Sequence, residues 1–482
     1  MREPSLHRGA RLAAAGVASL AVAACTVGPN YQAPAVPLDP GFVNAATGNA
    51  KAPASDIVNF WLGFGDPRLS LLVERALAAN GDVRIASARL QEARATLQGA
   101  DAELLPEIGV AAGATRSLTP EFQLPGLTRG QRTGSTFTAG FTANWELDFF
   151  GRNRRLSESA AAQVDASVAD VHAAQTAVAA EVARNYLELR GLQQRFEVAR
   201  ESLVNQRDTL RLTTVRLDAG RGTRFDVARA QSLHDSTEAT LPLLQAAIDR
   251  AAYRLATLTA QPPRVVAGLV AKPELLPILP VTDLSALPLG TPEQLLRRRP
   301  DLVAAERQLA AATAGIGIAT ADLFPRLSLT GLIGFASNRV VDLGGRDSQQ
   351  YSLGAGLSWP ILDFGRVRSR IDASEARAAQ SLAAYEQSVS IALEETEGAL
   401  SQFTRSAEQA GKLAGAAASA EEATRLSRRR FDAGAVDLLV VLDAERQSLA
   451  ARDALVQSQV GQATALVAIY RALGGGWTDA GG

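Results

Sequence analysis

Residues 136–148 of this chain, TFTAGFTANWELD, alternate without a break: Phe137, Ala139, Phe141, Ala143, Trp145 and Leu147 share one parity, and Thr138, Gly140, Thr142, Asn144, Glu146 and Asp148 share the other. Successive side chains of a strand point to opposite faces, so this stretch makes one apolar and one wet face. The pattern returns around Ile108, Val110, Ala112 and Ala114, around Leu327, Leu329, Ile333 and Phe335, and around Tyr351, Leu353, Ala355, Leu357 and Trp359. Two hairpins follow, with strands expected at about 107–118, 135–148, 326–338 and 350–362. A soluble sandwich also alternates. Each segment here, however, has about the length of a tilted membrane-crossing strand, roughly 9–11 residues, and Trp145, Tyr351 and Trp359 stand near strand ends, where interfacial aromatics sit. The smallest membrane barrels have about 8 strands, so a chain offering only four must pool them with other copies or leave open edges in lipid.

The 482 residues carry a formal net charge of -1, which suggests neither a nucleic-acid binder nor an acidic tail. One cysteine excludes an intrachain disulfide, and with three histidines it leaves little material for a metal site or a Cys/His nucleophile pair. No Ser/His/Asp arrangement stands out, Gly315-x-Gly317 lacks the third glycine of a nucleotide loop, and His172 and His234 lie on expected helices as polar surface or interhelix residues. No run approaches the roughly 18 apolar residues of a membrane helix. Residues 1–24 read as an export signal: Arg2, His7, Arg8 and Arg11 precede a short apolar run over 12–24. The run ends at the lone Cys25, and Val22-Ala23-Ala24-Cys25 resembles a bacterial lipobox, whose cysteine becomes the lipid-bearing first residue of the mature chain. Thr26 rather than Asp follows, which by the same resemblance favours the outer membrane.

Beyond the cysteine, 25–65 is rich in Pro, Gly and Ala and reads as an extended tether. The rest is one unit used twice. Residues 82–106 match 301–325 at a spacing of 219, and after the hairpins Trp145, Gly151-Arg152 and Arg216-Leu217-Asp218-Ala219-Gly220 match Trp359, Gly365-Arg366 and Arg430-Phe431-Asp432-Ala433-Gly434 at 214. The expected repeats are 66–261 and 293–473, joined by a proline-rich connector at 262–292 and followed by a short tail at 474–482. Each reads helix, hairpin, very long helix (about 152–219 and 366–433), glycine turn at 220 or 434, returning helix. Val164, Val168, Val171, Gln175, Val178, Val182, Asn185, Leu189 and Leu192 begin a 4/3 seam in the first long helix, and small residues on its flanks suit a wall of packed helices. Pro242 should kink the returning helix.

Several motifs together resemble the outer-membrane efflux factors, the TolC-like family, in its NodT-type lipoprotein branch. They are Cys25-Thr26-Val27-Gly28-Pro29-Asn30-Tyr31, Phe60-Trp61 with Phe64-Gly65-Asp66-Pro67, Leu295-Leu296-Arg297-Arg298-Arg299-Pro300-Asp301, the two Gly-Arg helix starts and the two Arg-x-Asp-Ala-Gly turns. The resemblance implies an α+β membrane protein: a trimeric twelve-stranded transmembrane β-barrel, four strands per chain, continued by a long periplasmic α-helical barrel. It implies a homotrimer in outer-membrane lipid that meets a periplasmic adaptor protein and an inner-membrane pump of the resistance-nodulation-division type. It implies no catalysis and no cofactor other than the covalent lipid on Cys25. The channel would be a passive, gated conduit for drugs or other small molecules. An exit duct for type I protein secretion and a non-conducting structural envelope lipoprotein are the alternatives.

The working parts are then expected at the helical tips. Gly220 and Gly434 suit left-handed helix ends, with Thr223 and Asp437 positioned to cap the helices that follow and Asp226 completing a capping box with Thr223. Beyond capping, Asp437 or Asp443, repeated threefold, would form an acidic ring narrowing the periplasmic mouth. By the same resemblance a second acid would stand where this sequence has Val440, so one ring rather than two is expected. Arg221, Arg224 and Arg430, with Arg428 and Arg429, make the tips basic, as a solvated or intersubunit salt-bridged face or as an adaptor contact. Arg297-Arg298-Arg299 reads as a structural element beside a helix start.

Overall fold

The computed structural model describes residues 26–44, 58–287 and 289–475. Cys25 and the export signal lie outside them. The elements run α1 (Pro67–Ala79), α2 (Gly81–Ala102), β1 (Glu107–Leu118), β2 (Thr133–Leu147), α3 (Arg152–Asp218), α4 (Arg224–Glu238), α5 (Thr240–Leu258), α6 (Pro263–Val270), α7 (Pro292–Arg298), α8 (Pro300–Ala321), β3 (Arg326–Ser337), β4 (Gln349–Ser358), α9 (Arg366–Asp432) and α10 (Leu438–Ala472). The described residues form two compact units, one from those within 1–35, 90–167 and 305–385, the other from those within 36–89, 168–304 and 386–482. Each draws on both halves of the chain, so the units are not the two sequence repeats.

The first unit holds an antiparallel sheet in the order β1-β2-β3-β4. Its register keeps the alternation in step: Val110 faces Phe141, Phe141 faces Ile333, and Ile333 faces Tyr351. A one-residue slip would have turned each apolar set to the opposite face. This apolar face is bare, with Val110, Phe141, Ile333, Tyr351 and Leu353 all exposed. The opposite face is built from glycine, alanine, serine and threonine for most of its length, with Gly113 against Thr138 and Gly354 against Thr330. Gly140 pairs with Gly334, and a Cβ on Gly334 would stand 2.3 Å from the Ala139 carbonyl oxygen, so neither position has room for a side chain. β4 ends at Ser358, short of the expected 362, because Pro360 has no N–H to continue the ladder.

The start of the tether is fixed in the same unit. Arg155, 2 % exposed, donates to the carbonyl oxygens of Val27 (3.1 Å) and Gly28 (3.2 Å) and to Asn30 Oδ1 (2.8 Å). A Cβ on Gly28 would lie 2.4 Å from Gly317 Cα, so Gly317 of the Gly315-x-Gly317 pair serves a close backbone approach. The Val27 amide donates to the Phe150 carbonyl, and Thr26 packs on Gly151.

In the second unit, α1 starts at Asp66, whose carboxylate accepts from the Arg68 and Leu69 amides and from the Tyr186 hydroxyl at 2.5 Å. Arg190 is fully buried yet satisfied by Tyr186, Gln193, the Lys272 carbonyl and Glu274. Leu69, Leu72, Leu187, Leu189, Leu255 and Leu466 are buried completely, each contributing about 1.5–3 kcal/mol. The chain breaks between α4 and α5 at Ala239, three residues before Pro242, so the proline sits in the first turn of a new helix, where its missing N–H costs nothing. The connector is more ordered than its prolines suggest: Pro262-Pro263 open α6, which buries Val266 and Val270. Thr291 caps α7 by accepting from the Gln294 amide.

Candidate functional site

Both helical tips belong to the second unit and are built by one device. At the end of α3 the Gly220 amide donates to the Leu217 carbonyl (2.9 Å) and Arg221 to Arg216 (2.8 Å); at the end of α9 Gly434 donates to Phe431 (3.0 Å) and Ala435 to Arg430 (2.8 Å). These are paired Schellman closures, with Gly220 at φ 69 and Gly434 at φ 72. Ala230, Phe431, Leu438, Val441 and Leu442 form a small core beneath them, flanked by Leu210, Leu233 and Val436. Arg216 lies over the Phe431 ring at 4.0 Å and ties the first tip to the second.

The caps beyond the turns differ. In the first tip the Asp226 amide donates to Thr223 Oγ1 (3.2 Å) while the Thr223 amide donates to Asp226 Oδ2 (3.1 Å), a complete capping box. In the second, Asp437 holds the N-cap position but its side chain caps nothing. The capping expectation for Asp437 is therefore corrected. The Val440 amide donates to the Asp437 backbone carbonyl (3.1 Å), and valine, standing where the first tip has Asp226, has no carboxylate to complete a box. Asp437 is left exposed. Asp443, one to two turns along α10, is partly exposed, with Oδ1 accepting from Arg446 (2.7 Å) and Oδ2 from Gln447 (2.6 Å). It lines a groove between α4 and α10 with Arg229, Ser232 and Ser236, a groove that leaves Asp437 out.

Arg221, Arg224, Arg429 and Arg430 are exposed, as a basic tip requires. Arg428 departs from that reading: it donates to Glu445 Oε1 through Nε (3.1 Å) and Nη2 (2.7 Å) and to Asn205 Oδ1 (2.9 Å). Glu445 is 5 % exposed and also accepts from the Thr209 hydroxyl (2.9 Å). Sequence reasoning missed this buried link between α3, α9 and α10, since nothing in the local sequence pairs Arg428 with a carboxylate on another helix. Arg299 is also buried, bonded to Asp301 and Glu395. Burial opposes its charge, but those two carboxylates hold its pKa above the ordinary arginine value.

At the strand ends, Trp145 Nε1 donates to the Leu104 carbonyl (3.0 Å) and Trp359 Nε1 to the Leu323 carbonyl (2.9 Å), which places both indoles at the helix-bearing end of the sheet. Tyr351, opposite Ile333, lies toward the loop end and is 85 % exposed. Among the described residues one group has ligand atoms close enough for a metal, His234, Asp235 and Glu238 on α4, within 4.8 Å of one another. Gln231 already bonds Asp235 there, an ordinary helix-surface pairing.

A four-stranded sheet with a bare apolar face, two free edges and paired 67-residue helices defines an outer-membrane channel subunit. The sequence pattern of the family described as Outer membrane efflux protein matches residues 72–261 and 291–475, and the chain belongs to that family. It is 36 % identical over 430 residues to the Pyoverdine export outer membrane protein OpmQ of Pseudomonas aeruginosa, covering 89 % of each. It is 34 % identical over 462 residues to Nodulation protein T of Rhizobium leguminosarum bv. trifolii, covering 95 % of this chain and 96 % of that one. The solved structure of the outer-membrane channel OprN superposes with a TM-score of 0.87 at 39 % identity, covering 94 % of this chain and all of that one. The fold class read from the sequence holds, and the protein is an outer-membrane efflux channel of a Gram-negative bacterium, not an enzyme.

Proposed function

We propose that three copies pool their strands into a twelve-stranded barrel and act as the passive outer-membrane conduit of a tripartite efflux system for small molecules. A periplasmic adaptor meets the basic tips at Gly220, Arg221, Arg224, Arg430 and Gly434, and a proton-driven inner-membrane pump of the resistance-nodulation-division type supplies the energy. The observation that carries this reading is the sheet: an exposed apolar band on one face, small and hydroxylated residues on the other, and an unpaired strand at each edge. Lipid must cover the first face, water the second, and another copy the edges. Trp145 and Trp359 mark one membrane interface and Tyr351 the other. Glycine, serine and threonine leave the wet face without bulk, which suits a wide path that selects little, so that substrate choice lies with the pump.

Asp437 forms the periplasmic gate in this reading, since its carboxylate is free of any capping bond. Asp443 is the weaker member, already neutralised by Arg446. Cys25 carries the lipid, which its neighbours support: Thr26 and Val27 are fixed at Phe150-Gly151, where β2 hands over to α3, close to where a lipid chain would enter the bilayer.

The test is accumulation of a panel of fluorescent small molecules in energised cells with and without the gene. Deletion should raise accumulation of at least one compound, and the restored gene should reverse it. Unchanged accumulation together with loss of a secreted protein from the medium would overturn the small-molecule reading in favour of a protein-secretion duct.

A further inference from the structure

The geometry points to a binding site for a small neutral polyol, a molecule rich in hydroxyl groups and without charge, in a polar cleft where α3, α9 and α10 meet. All of its residues lie in the second unit of one chain, so the site stands apart from how copies assemble and from what the conduit exports.

The cleft has a volume of about 390 Å³ and no apolar side chain lines it. α3 contributes Gln206, α9 Thr424 and Arg428, and α10 Glu445 and Ser448. Two of these side chains are buried and incompletely bonded. Gln206 is 2 % exposed, and neither its Oε1 nor its Nε2 has a hydrogen-bond partner among the described residues. Glu445 gives Oε1 to Arg428 and Thr209, while its Oε2 is buried without a partner among them. A buried polar atom left unbonded destabilises the fold, so a group that bonds all three is favoured by the desolvation penalty of each.

These three atoms define that group, since two accept and one donates. A hydroxyl does both, giving its proton to Glu445 Oε2 or Gln206 Oε1 and accepting from Gln206 Nε2. An ammonium serves the two acceptors but leaves the amide N–H unmet, and a carboxylate serves the amide but faces Glu445 with like charge. Charge around the cleft is already matched: Arg428 pairs with Glu445 at 2.7 Å, Arg452 with Glu201 at 2.6 Å, and Arg425 with Glu422, while Arg429 shares the lining with Glu421 and Asp432. A charged ligand would have to separate one of these pairs. The space far exceeds that of a single water, about 30 Å³ in the liquid, and takes a molecule the size of a cyclic polyol. No aromatic ring lines the cleft, so recognition is by hydrogen bonds alone and the affinity is modest.

The test uses the purified full chain in a detergent without a sugar headgroup, with myo-inositol as the probe and methylammonium and acetate as charged counterparts. Saturation transfer from protein to myo-inositol should be seen with the wild type. Gln206→Met, which removes the amide at nearly constant size, should weaken binding about fivefold or more, the factor that one lost hydrogen bond is worth. Ser202→Phe, which sets a ring at a half-buried position of the lining, should abolish it. Thermal unfolding gives the second readout. Polyols raise the midpoints of proteins in general by exclusion from their surface, so the difference decides: the wild type should gain more than either variant as myo-inositol is added. Equal gains in all three proteins, or no saturation transfer with the wild type, would show that the cleft holds only water and would overturn the site. Binding of methylammonium or acetate in place of myo-inositol would overturn its neutral chemistry. Where Gln206→Met fails to fold, Ser202→Phe carries both readouts, and transfer undiminished by it places the polyol elsewhere and overturns the site. None of these outcomes touches the conduit reading, which the accumulation assay decides.

Discussion

Thr223 and Asp437 occupy the same place in the two tips, yet only the threonine caps. Thr223→Ala should therefore destabilise the protein by about 1 kcal/mol, as loss of an N-cap does, while Asp437→Ala leaves the thermal unfolding midpoint unchanged. Equal losses in the two variants would show that Asp437 holds its helix after all. Glu445 is a different case, a buried carboxylate whose charge is met by Arg428. Removing one partner of such a pair costs about 3–5 kcal/mol, because the other stays buried and unpaired, whereas replacing both by apolar residues of similar size is close to neutral. Arg428→Met should lower the unfolding midpoint sharply and Arg428→Met with Glu445→Leu should recover most of it. A double variant as unstable as the single one would remove the ion pair from the account. Glu181 gives a pH signature: burial opposes its charge, but Arg184, Asn185 and Arg254 bond the carboxylate and hold its pKa below the ordinary 4.5. A carboxyl whose pKa falls on folding contributes stability above its unfolded value and loses it as pH drops through the folded one. The stability gap between wild type and Glu181→Gln should thus be present at neutral pH and shrink on acidification below about 4.5. A gap that widened in acid would contradict the assignment.

Among the elements, the sheet separates what sequence periodicity can show from what it cannot. The alternation of Phe137 to Leu147, the glycine turns and the repeat offsets were legible because each depends on local chemistry or on self-comparison. The Gly140–Gly334 contact was not, since it needs the register of two strands nearly 200 residues apart in sequence. Its test lies on β3 itself. Gly334→Ala should abolish the assembled barrel, because its Cβ would meet backbone at 2.3 Å, while Gly331→Ala, at 3.7 Å from the Ala143 Cβ, should be tolerated. Both would be read as the heat-sensitive trimer band on gels, and equal behaviour would deny the close approach. The Arg428–Glu445 link escaped for a related reason: a triplet of arginines looks solvated until the neighbouring helix brings a carboxylate to one of them. α6 was hidden in the connector because Pro262-Pro263 reads as a breaker, although proline is well placed in a helix's first turn.

As a whole the molecule is an outer-membrane efflux channel, to which the lipid on Cys25 and an acidic closure at the tips are added as proposals. Cys25→Ser should lose incorporation of labelled palmitate while the trimer still forms, since the strands and not the lipid hold the barrel in the membrane. Persistent labelling would place the lipid elsewhere. The gate is the central claim, and single-channel current in planar bilayers tests it most directly. Purified wild type should be nearly silent, Asp437→Ala should conduct strongly at the same trimeric mass, and Asp443→Ala should open less. Equal silence from all three proteins after verified insertion would contradict an acidic closure at the tips, and steady conduction by the wild type would contradict a closed mouth altogether.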